Sequence, residues 1–411
     1  SFKYTVDFDP GSGTYNLTSN GETDIFVSKL DASGNFIWAK NMGGSYDDVG
    51  YSIAIDGSGN VYTTGSFKYT VDFDPGSGTY NLTSDIECDV FISKLDASGN
   101  FIWAKSMGAS DKDFGNSIAI DALGNVYTTG SFKYTVDFDP GSGTYNLTPN
   151  GGSDIFISKL DAGGNFVWAR NMGGTNGDGD YGNSIAIDNL GNIYTTGYFR
   201  DTADFDPGAG TYNLINGGEG LFISKLDANG NFIWAKGMGG SFGGSMGFSI
   251  AIDGSGNVYT TGAFVGTIDF NPGSGVDTLT ANVFSADIFI SKLDVNGNFV
   301  WAKSVGASDW DGGYSIAIDA LGNVYTTGSF KYTVDFDPGS GTSNLTSNGD
   351  EDIFILKLSQ NSTAIEEIVL NNNKTLLKIT NVLGQPTKEK NNMPLFYIFD
   401  DGTVEKRITI E

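Results

Sequence analysis

Apolar and polar residues alternate along short segments through most of the chain. Four such segments recur, with early copies DIFVSKLD (24–31), NFIWAKNMG (35–43), YSIAID (51–56) and NVYTTGSF (60–67). Each is short and rich in β-branched or aromatic residues, which predicts β-strands with alternate side chains on opposite faces. Turns such as DGSGN, DALGN and DASGN separate them, because Asp and Asn bond locally and Gly adopts positive φ. Each repeating unit is therefore predicted to contain two antiparallel hairpins.

A tryptophan marks each repeat. It stands in the sequence WAK or WAR, at spacings of 65, 65, 66 and 67 residues, as Trp38, Trp103, Trp168, Trp234 and Trp301. Four antiparallel strands per repeat, in series, are typical of β-propeller blades. We expect the five tryptophans to fill the space between adjacent blades.

The strand copies do not divide evenly into blades. The DIFISKL strand occurs six times and the other three strands five times each, which makes 21 strands. A five-bladed ring would pair the last SIAID and VYTTG strands with the first DIFVSKL and FIWAK strands and leave one copy over. A six-bladed ring would need three further strands from sequence before Ser1. Because the chain starts inside a repeat, we expect an all-β propeller of about six four-stranded antiparallel blades, with five as the alternative.

The composition changes after Leu358. Residues 359–411 contain 6 basic and 7 acidic residues, against 17 and 42 before them. Strand candidates in this segment are residues 374–384, 394–401 and 403–411. We therefore predict two domains, the propeller repeats at 1–358 and a small β-rich domain at 359–411.

Composition also narrows the function. Asp and Glu outnumber Lys and Arg by 49 to 23, and the formal charge of −26 disfavours nucleic acid as a partner. The chain has no histidine, the usual general base and zinc ligand, and Cys88 is its only cysteine. No apolar run reaches the roughly 20 residues that span a bilayer. We expect a protein that is not an enzyme, needs no cofactor and does not span a membrane.

Acidic residues recur in pairs in the loop after the WAK strand. Four of the five loops contain them, beginning with Asp47 and Asp48. Clustered carboxylates in flexible loops suit calcium, although no complete D-x-D-x-D-G pattern is present. The calcium hypothesis applies to Asp111, Asp113, Asp178, Asp180, Asp309 and Asp311. The alternative is that these residues are solvated turn acids.

A second acidic pattern, DFDPG, occurs in the long excursion between hairpins, first at Asp7 and Asp9. Its two carboxylates lie at alternate positions of an extended segment and point the same way. They either cap the Pro-Gly turn or hold a cation together.

Three single residues are further candidates. Trp310 occurs in an acidic loop outside the repeat pattern and is a candidate binding contact. Thr202 and Thr278 stand in Asp-Thr-Ala and Asp-Thr-Leu, which resemble the O-glycosylation sequon of Bacteroidota. Both threonines are therefore candidate glycosylation sites.

Two segments resemble known families. GNVYTTGSF and DIFISKLDASGNFIWAK resemble the SBBP repeat, a β-propeller repeat of bacterial surface and secreted proteins without a common catalytic set. The stretch from LLKITNVLGQPT to PLFYIFDDGTVEKRITIE resembles the C-terminal sorting domain of type IX secretion cargo in Bacteroidota, although it lacks the YPNP-like opening. The second resemblance implies that residues 359–411 are recognised by the outer-membrane translocon and its shuttle protein. It implies a protein that is secreted or lies on the outer surface of a Gram-negative cell.

Two functions compete at this level. The first is a binding, adhesion or structural scaffold whose ligand is a glycan, a surface protein or another copy of the chain. The alternative is a carboxylate-dependent polysaccharide hydrolase or lyase, since carboxylates alone hydrolyse glycosides. The enzyme hypothesis predicts one blade with a unique polar cluster, and the fourth and fifth blades deviate most from the repeat.

Overall fold

A computed structural model describes residues 1–175, 177, 179–240, 243–281, 285–359, 376–381, 385–388, 394–399 and 404–407. Within these ranges the chain forms 30 β-strands and no helix. The described residues therefore contain no helix that could cross a membrane. The all-β class expected from the alternating pattern is confirmed.

The strands form six successive modules, which we number in chain order. Module 1 contains β1 (Phe2–Asp7), β2 (Asn16–Leu30) and β3 (Phe36–Met42). Module 2 contains β4 (Val49–Ile55), β5 (Val61–Asp72), β6 (Asn81–Leu95) and β7 (Phe101–Met107). Module 3 contains β8 (Phe114–Ile120), β9 (Val126–Lys133), β10 (Val136–Asp137), β11 (Asn146–Leu147), β12 (Ser153–Leu160) and β13 (Phe166–Gly174).

The second half of the repeats follows the same plan. Module 4 contains β14 (Tyr181–Ile187), β15 (Ile193–Asp204), β16 (Asn213–Leu226) and β17 (Phe232–Met238). Module 5 contains β18 (Gly243–Ile252), β19 (Val258–Asp269), β20 (Thr278–Thr280), β21 (Ala286–Leu293) and β22 (Phe299–Val305). Module 6 contains β23 (Gly312–Ile318), β24 (Val324–Phe330), β25 (Thr333–Asp335), β26 (Asn344–Thr346) and β27 (Asp352–Leu358).

The main strands of modules 2 to 5 pair in chain order and antiparallel, as the two-hairpin prediction requires. In module 2 the order is β4-β5-β6-β7, and the second and third strands pair from Val61 opposite Leu95 to Ser66 opposite Val90. Module 1 has the order β1-β2-β3, and module 6 has β23-β24-β27. The two end modules therefore have three main strands each.

The Asp-x-x-Gly-Asn turns close the hairpins by local bonding. In module 2, Asp56 Oδ1 accepts the N–H groups of Ser58 at 2.9 Å and Asn60 at 3.0 Å. Gly59 has φ +81°, a conformation that costs little only for glycine. The same residues recur at the other hairpins, which explains why the turn sequence is repeated so closely.

Adjacent modules bury apolar faces against one another. Between modules 2 and 3, Val90, Ile92 and Met107 on one side share a buried cluster with Phe132 and Phe156 on the other. Trp103 belongs to the same cluster, and its indole N–H donates to Ala162 O of module 3 at 3.4 Å. The prediction that the repeated tryptophans lie between neighbouring sheets is confirmed at this junction.

The first strands of the modules also contact one another in sequence, from β4 to β8, β14, β18 and β23. Within the described residues, no sheet combines strands of module 1 with strands of module 6. Strand β24 pairs with β27 and not with β2, so the pairing required for a five-bladed ring is not formed. Six modules are present in series, and ring closure stays a prediction.

The chain divides into two compact units, Ser1–Leu358 and Ser359–Glu411. In the second unit, β28 (Leu376–Thr380), β29 (Leu395–Phe399) and β30 (Val404–Arg407) form an antiparallel sheet in that order. Leu395, Tyr397 and Phe399 are its buried residues, with Ile379 packed against them. The three strands fall inside the three predicted segments.

Candidate binding pocket in modules 3 and 4

One cross-strand pair distinguishes module 4 from the other modules. Tyr181 lies opposite Tyr198, where module 2 pairs Val49 with Ser66 and module 3 pairs Phe114 with Ser131. The two tyrosine rings are stacked, with centroids 4.9 Å apart and an interplanar angle of 21°. Among the described residues, this is the one position of its kind with two facing aromatic rings.

The stacked tyrosines line a pocket of about 340 Å³, which we call the tyrosine pocket. Its lining comes from modules 3 and 4 and consists of Lys133, Gly152, Ser153, Gly177, Gly179, Tyr181, Tyr198 and Arg200. A Cβ atom at Gly179 would lie 2.9 Å from the Tyr181 ring and 3.0 Å from Ser153 Cβ. Glycine at 179 therefore lets the loop pass close to the aromatic wall.

Two cationic side chains stand beside the stacked rings. Lys133 Nζ lies 2.9 Å from Asp111 Oδ2, and Arg200 is paired with Glu219. All four of these side chains keep contact with solvent, and such partly exposed ion pairs are worth little in water. The cations are thus able to exchange an acidic neighbour for an anionic group of a ligand. Burial is the main cause that raises the pKa of Tyr198 to about 12, so its hydroxyl stays protonated and can donate.

The second acid of each repeated pair is buried and fixes the loop that carries it. Asp180 is 2% exposed, and its oxygens accept the N–H of Arg200 at 3.0 Å and of Gly174 at 2.7 Å. Asp113 and Asp311 accept two backbone N–H groups in the same way. Each of these carboxylates thus bonds the backbone around its own loop, a structural role that neither sequence interpretation stated. Arg200 is held at the pocket partly by this bond to its backbone.

The remaining acids of the calcium hypothesis have different surroundings. Asp111 pairs with Lys133, Asp309 accepts the N–H of Trp310 at 2.7 Å, and Asp178 lies outside the described residues. In the part of the chain that the structure describes, no three His, Cys, Asp or Glu residues are grouped to hold a metal ion. Calcium binding in these loops stays a prediction.

The DFDPG acids cap their turn, as one of the two sequence interpretations stated. Asp7 Oδ1 accepts the N–H groups of Asp9 at 3.0 Å and Tyr15 at 2.8 Å. Asp9 Oδ1 accepts the N–H of Gly11 at 2.8 Å. The same bonds recur in the later copies, where they stabilise the Pro-Gly turn.

The three single-residue candidates lie on the surface and are not among the residues that line the tyrosine pocket. Trp310 is 42% exposed, and its part as a binding contact stays a prediction. Thr202 in β15 and Thr278 in β20 are both exposed, so they are accessible to a modifying enzyme. The structure does not bring these three residues together with one another into one site.

Sequence reasoning did not single out Tyr181, Tyr198, Lys133 or Arg200. The signal was present in the replacement of GSFK by GYFR at 197–200, a departure from the repeat at one cross-strand position. The pattern of acidic residues carries no information about this pocket, because its charged and aromatic lining residues are tyrosines and cations.

The chain carries β-propeller repeats. A model of the SBBP family, described as a beta-propeller repeat, matches residues 37–66, 102–131 and 167–198. These stretches run from the WAK strand through the SIAID strand to the VYTTG strand in modules 1 to 4. The predicted repeat family is confirmed there.

Two relatives and one solved structure are similar to this chain. An uncharacterized WD repeat-containing protein of Acanthamoeba polyphaga mimivirus is 26% identical over 90% of this chain and 31% of its own length. The regulatory protein FlaEY of Caulobacter vibrioides is 29% identical over 35% of this chain and 15% of its own length. The extracellular domain of a hybrid two component system from B. thetaiotaomicron is 11% identical, with a TM-score of 0.14 and coverage of 97% of this chain and 67% of that one. The chain thus spans less than a third of the curated relatives it matches.

Proposed function

We propose that this chain is a secreted or cell-surface β-propeller that binds an anionic saccharide in the tyrosine pocket. The observation that carries the proposal is the stacked pair of Tyr181 and Tyr198, with two cations beside it. At the same cross-strand position, modules 2 and 3 have a serine opposite a valine or a phenylalanine. A departure of this kind in one copy of a regular scaffold supports a role other than folding.

The chemistry of the pocket favours a sugar with a carboxylate. Aromatic rings offer the apolar C–H face of a sugar a flat contact, and the tyrosine hydroxyls can bond to its oxygens. A guanidinium and an ammonium group near the rings can each pair with a carboxylate. Because the whole chain has a formal charge of −26, a cationic pocket on it acts by local contact and not by long-range attraction.

The propeller arrangement is part of the proposal. It is supported by the serial contacts of the first strands, which are the strands nearest the axis in a propeller, and by the match to the propeller repeat. We take the six modules as six blades. Small-angle scattering of residues 1–358 tests this, since a disc-shaped particle is expected for the propeller unit and an elongated stack would contradict it.

The binding test uses short oligouronates and matched variants. We expect saturable calorimetric binding of a uronate tetrasaccharide, and loss of binding of about tenfold or more in Tyr198→Ser, because several contacts of the ring are removed. Serine is the residue of modules 2 and 3 at this position, so the variant should fold normally. Tyr314→Phe in module 6 is the control and should bind like the parent chain. No binding, or equal binding by Tyr198→Ser, would exclude the tyrosine pocket.

The enzyme hypothesis is tested on the same samples. We expect the oligosaccharide to keep its length after long incubation. Cleavage that disappears in a chain carrying Asp309→Asn and Asp311→Asn would instead favour the carboxylate-dependent hydrolase or lyase.

Export rests on residues 359–411. We propose that this unit is the type IX sorting domain, supported by its resemblance to such domains and by its separation as a compact unit. Mass spectrometry of secreted, surface and cell-retained fractions should find residues 1–358 retained in the cell when residues 359–411 are deleted, whereas the full chain is exported. Export of the deleted chain at the parent level would contradict the proposal.

A further inference from the structure

A second pocket adjoins the tyrosine pocket on the side of module 5. It has a volume of about 450 Å³, and we call it the glycine pocket. Most of its lining consists of three glycines and three charged residues, which are Gly218, Gly243, Gly244, Arg200, Asp201 and Glu219. Arg200 also lines the tyrosine pocket. Because one residue borders both, a ligand longer than one sugar unit can reach from the first pocket into the second.

The strand pairing puts the aromatic and charged side chains on one face of module 4. Tyr198 and Arg200 are two residues apart in β15, and Glu219 of β16 lies directly opposite Arg200. Burial, the adjacent Tyr181 and the Glu219 carboxylate are, in that order, the three largest causes that raise the pKa of Tyr198 to about 12. Glu219 is therefore within electrostatic reach of the stacked rings.

The two pockets differ in the sign of their charge. The charged residues that line the tyrosine pocket are both cations, Lys133 and Arg200. Those that line the glycine pocket besides Arg200 are both acids, Asp201 and Glu219. Arg200 stands at the boundary and is paired with Glu219. A ligand that spans both pockets thus meets cations at one end and carboxylates at the other.

The pair of Arg200 and Glu219 determines which charges a ligand must bring. A ligand carboxylate that binds Arg200 competes with Glu219 for the donors of the guanidinium group. The Glu219 side chain is only 23% exposed, so its carboxylate loses free energy when that partner is taken away. An ammonium group on the ligand offsets this loss by pairing with Glu219. A ligand with charges of both signs therefore exchanges one ion pair for two.

The glycines leave room beside Glu219. A Cβ atom at Gly218 would meet no atom within 4 Å, so the space there is open. A Cβ atom at Gly244 would lie 3.4 Å from Glu219 Oε2, so the carboxylate lies beside the backbone of module 5. At Gly243 a side chain is excluded, since its Cβ would lie 2.1 Å from Val265 O. Three positions without side chains thus keep the acidic end of the glycine pocket open.

On the basis of the proposed function, we infer that the tyrosine pocket and the glycine pocket together bind two neighbouring sugars of one saccharide, the first with a carboxylate and the second with a free amino group. The uronate ring lies against Tyr181 and Tyr198, with its carboxylate on Arg200. The ammonium group of the next sugar pairs with Glu219 and Asp201. An N-acetylated amine carries no charge, so acetylation of this group weakens binding.

The test compares two forms of one tetrasaccharide of alternating glucuronate and glucosamine, with the amines either N-acetylated or free. Calorimetry of the 411-residue chain at pH 6, where the free amines are protonated, should show that both forms bind and that the free-amine form binds about tenfold tighter. Glu219→Gln should lower the affinity for the free-amine form by about tenfold. The same variant should bind the N-acetylated form at least as well as the parent chain, because Arg200 loses its internal competitor.

Glu87→Gln is the matched control. It breaks the ion pair of Lys68 and Glu87 in module 2 and removes the same charge as Glu219→Gln. This control is needed because a chain with a formal charge of −26 attracts any less negative ligand more strongly, wherever that ligand binds. Both affinities should stay at the parent level in Glu87→Gln. Circular dichroism establishes that both variants fold.

Three outcomes count against this ligand class. Equal affinity of the parent chain for both forms, or a free-amine preference that persists in Glu219→Gln, would overturn the inference and leave the tyrosine pocket standing. Loss of the preference in Glu87→Gln as well as in Glu219→Gln would show general electrostatic attraction and would also overturn it. Binding of neither form by the parent chain would overturn the inference together with the proposed function.

Discussion

Lowering the pH from 7.5 to 5.5 is predicted to stabilise the chain, and Asp154→Asn is predicted to remove part of that effect. Asp154 is fully buried, and burial is the main cause that raises its pKa to about 7. One of its oxygens accepts the N–H of Asn150 at 3.1 Å and a side-chain N–H of Asn171 at 3.0 Å. The other has no described partner. The pKa of Asp180, which faces Asp154, is likewise raised, to about 6.

The sign follows from linkage between protonation and folding. The unfolded chain releases the Asp154 proton near pH 3.8, whereas the folded chain releases it near pH 7. Between these values the folded state holds more protons, so stability is lost as the pH rises and returns as the pH falls. For one carboxyl group this amounts to roughly 1–2 kcal/mol between pH 7.5 and 5.5.

The chain itself shows that an amide is tolerated in this place. A Cβ atom at Gly173 would meet the Asp154 carboxyl at 2.3 Å, and a Cβ atom at Gly239 would meet the Asn216 amide at 2.2 Å. Asn216 thus occupies the equivalent place between modules 4 and 5. At that junction the acid equivalent to Asp180 is replaced by Ser245, which is also buried.

The assay is urea unfolding at both pH values, followed by tryptophan fluorescence. We expect the parent chain to be more stable at pH 5.5 than at pH 7.5. Asp154→Asn should be as stable as the parent chain at pH 5.5, and its difference in the free energy of unfolding between the two pH values should be about 1–2 kcal/mol smaller than that of the parent. Asp47→Asn, which removes an exposed charge, is the control and should keep the full pH dependence. If Asp154→Asn keeps the parent's pH dependence, the carboxyl is ionised in the folded chain and the reasoning is wrong.

Three further predictions concern single residues. Gly130→Ala should destabilise the chain by about 3 kcal/mol or more in urea unfolding, because its Cβ would lie 1.7 Å from Phe114 O, whereas Gly57→Ala, with nothing within 4 Å, should have little effect. Tyr134 has φ 61°, a backbone conformation that costs a non-glycine residue about 1 kcal/mol. Tyr134→Gly should therefore raise the unfolding temperature in calorimetry, and unchanged or lower stability would contradict this. Trp103→Ala should cost about 3–5 kcal/mol and Trp310→Ala under about 0.5 kcal/mol, and similar losses from both would refute the inter-module role of Trp103.

The strands were predictable because local chemistry determines them. Alternating apolar residues and the Asp-x-x-Gly-Asn turns set each hairpin without help from distant contacts, as the bonds of Asp56 to Ser58 and Asn60 show. The buried position of Asp180 was not predictable, because it depends on a bond to the backbone of Arg200, 20 residues later in the chain. An acid in a glycine-rich loop looks the same in sequence whether it faces water or turns inward.

The tyrosine pocket lies at a position that takes no part in the described packing between modules 3 and 4. Tyr181 and Tyr198 occupy the first paired position of β14 and β15, next to Gly182 opposite Gly197. The described inter-module cluster of modules 3 and 4 uses Ile185 and Phe199 and contains neither tyrosine. A tyrosine in place of serine at position 198 therefore leaves the repeated packing between the sheets intact and adds its ring to the wall of the pocket. By the same reasoning, a second ligand site would be sought at this cross-strand pair in module 5, where Met246 lies opposite Ala263, and not among the repeated tryptophans.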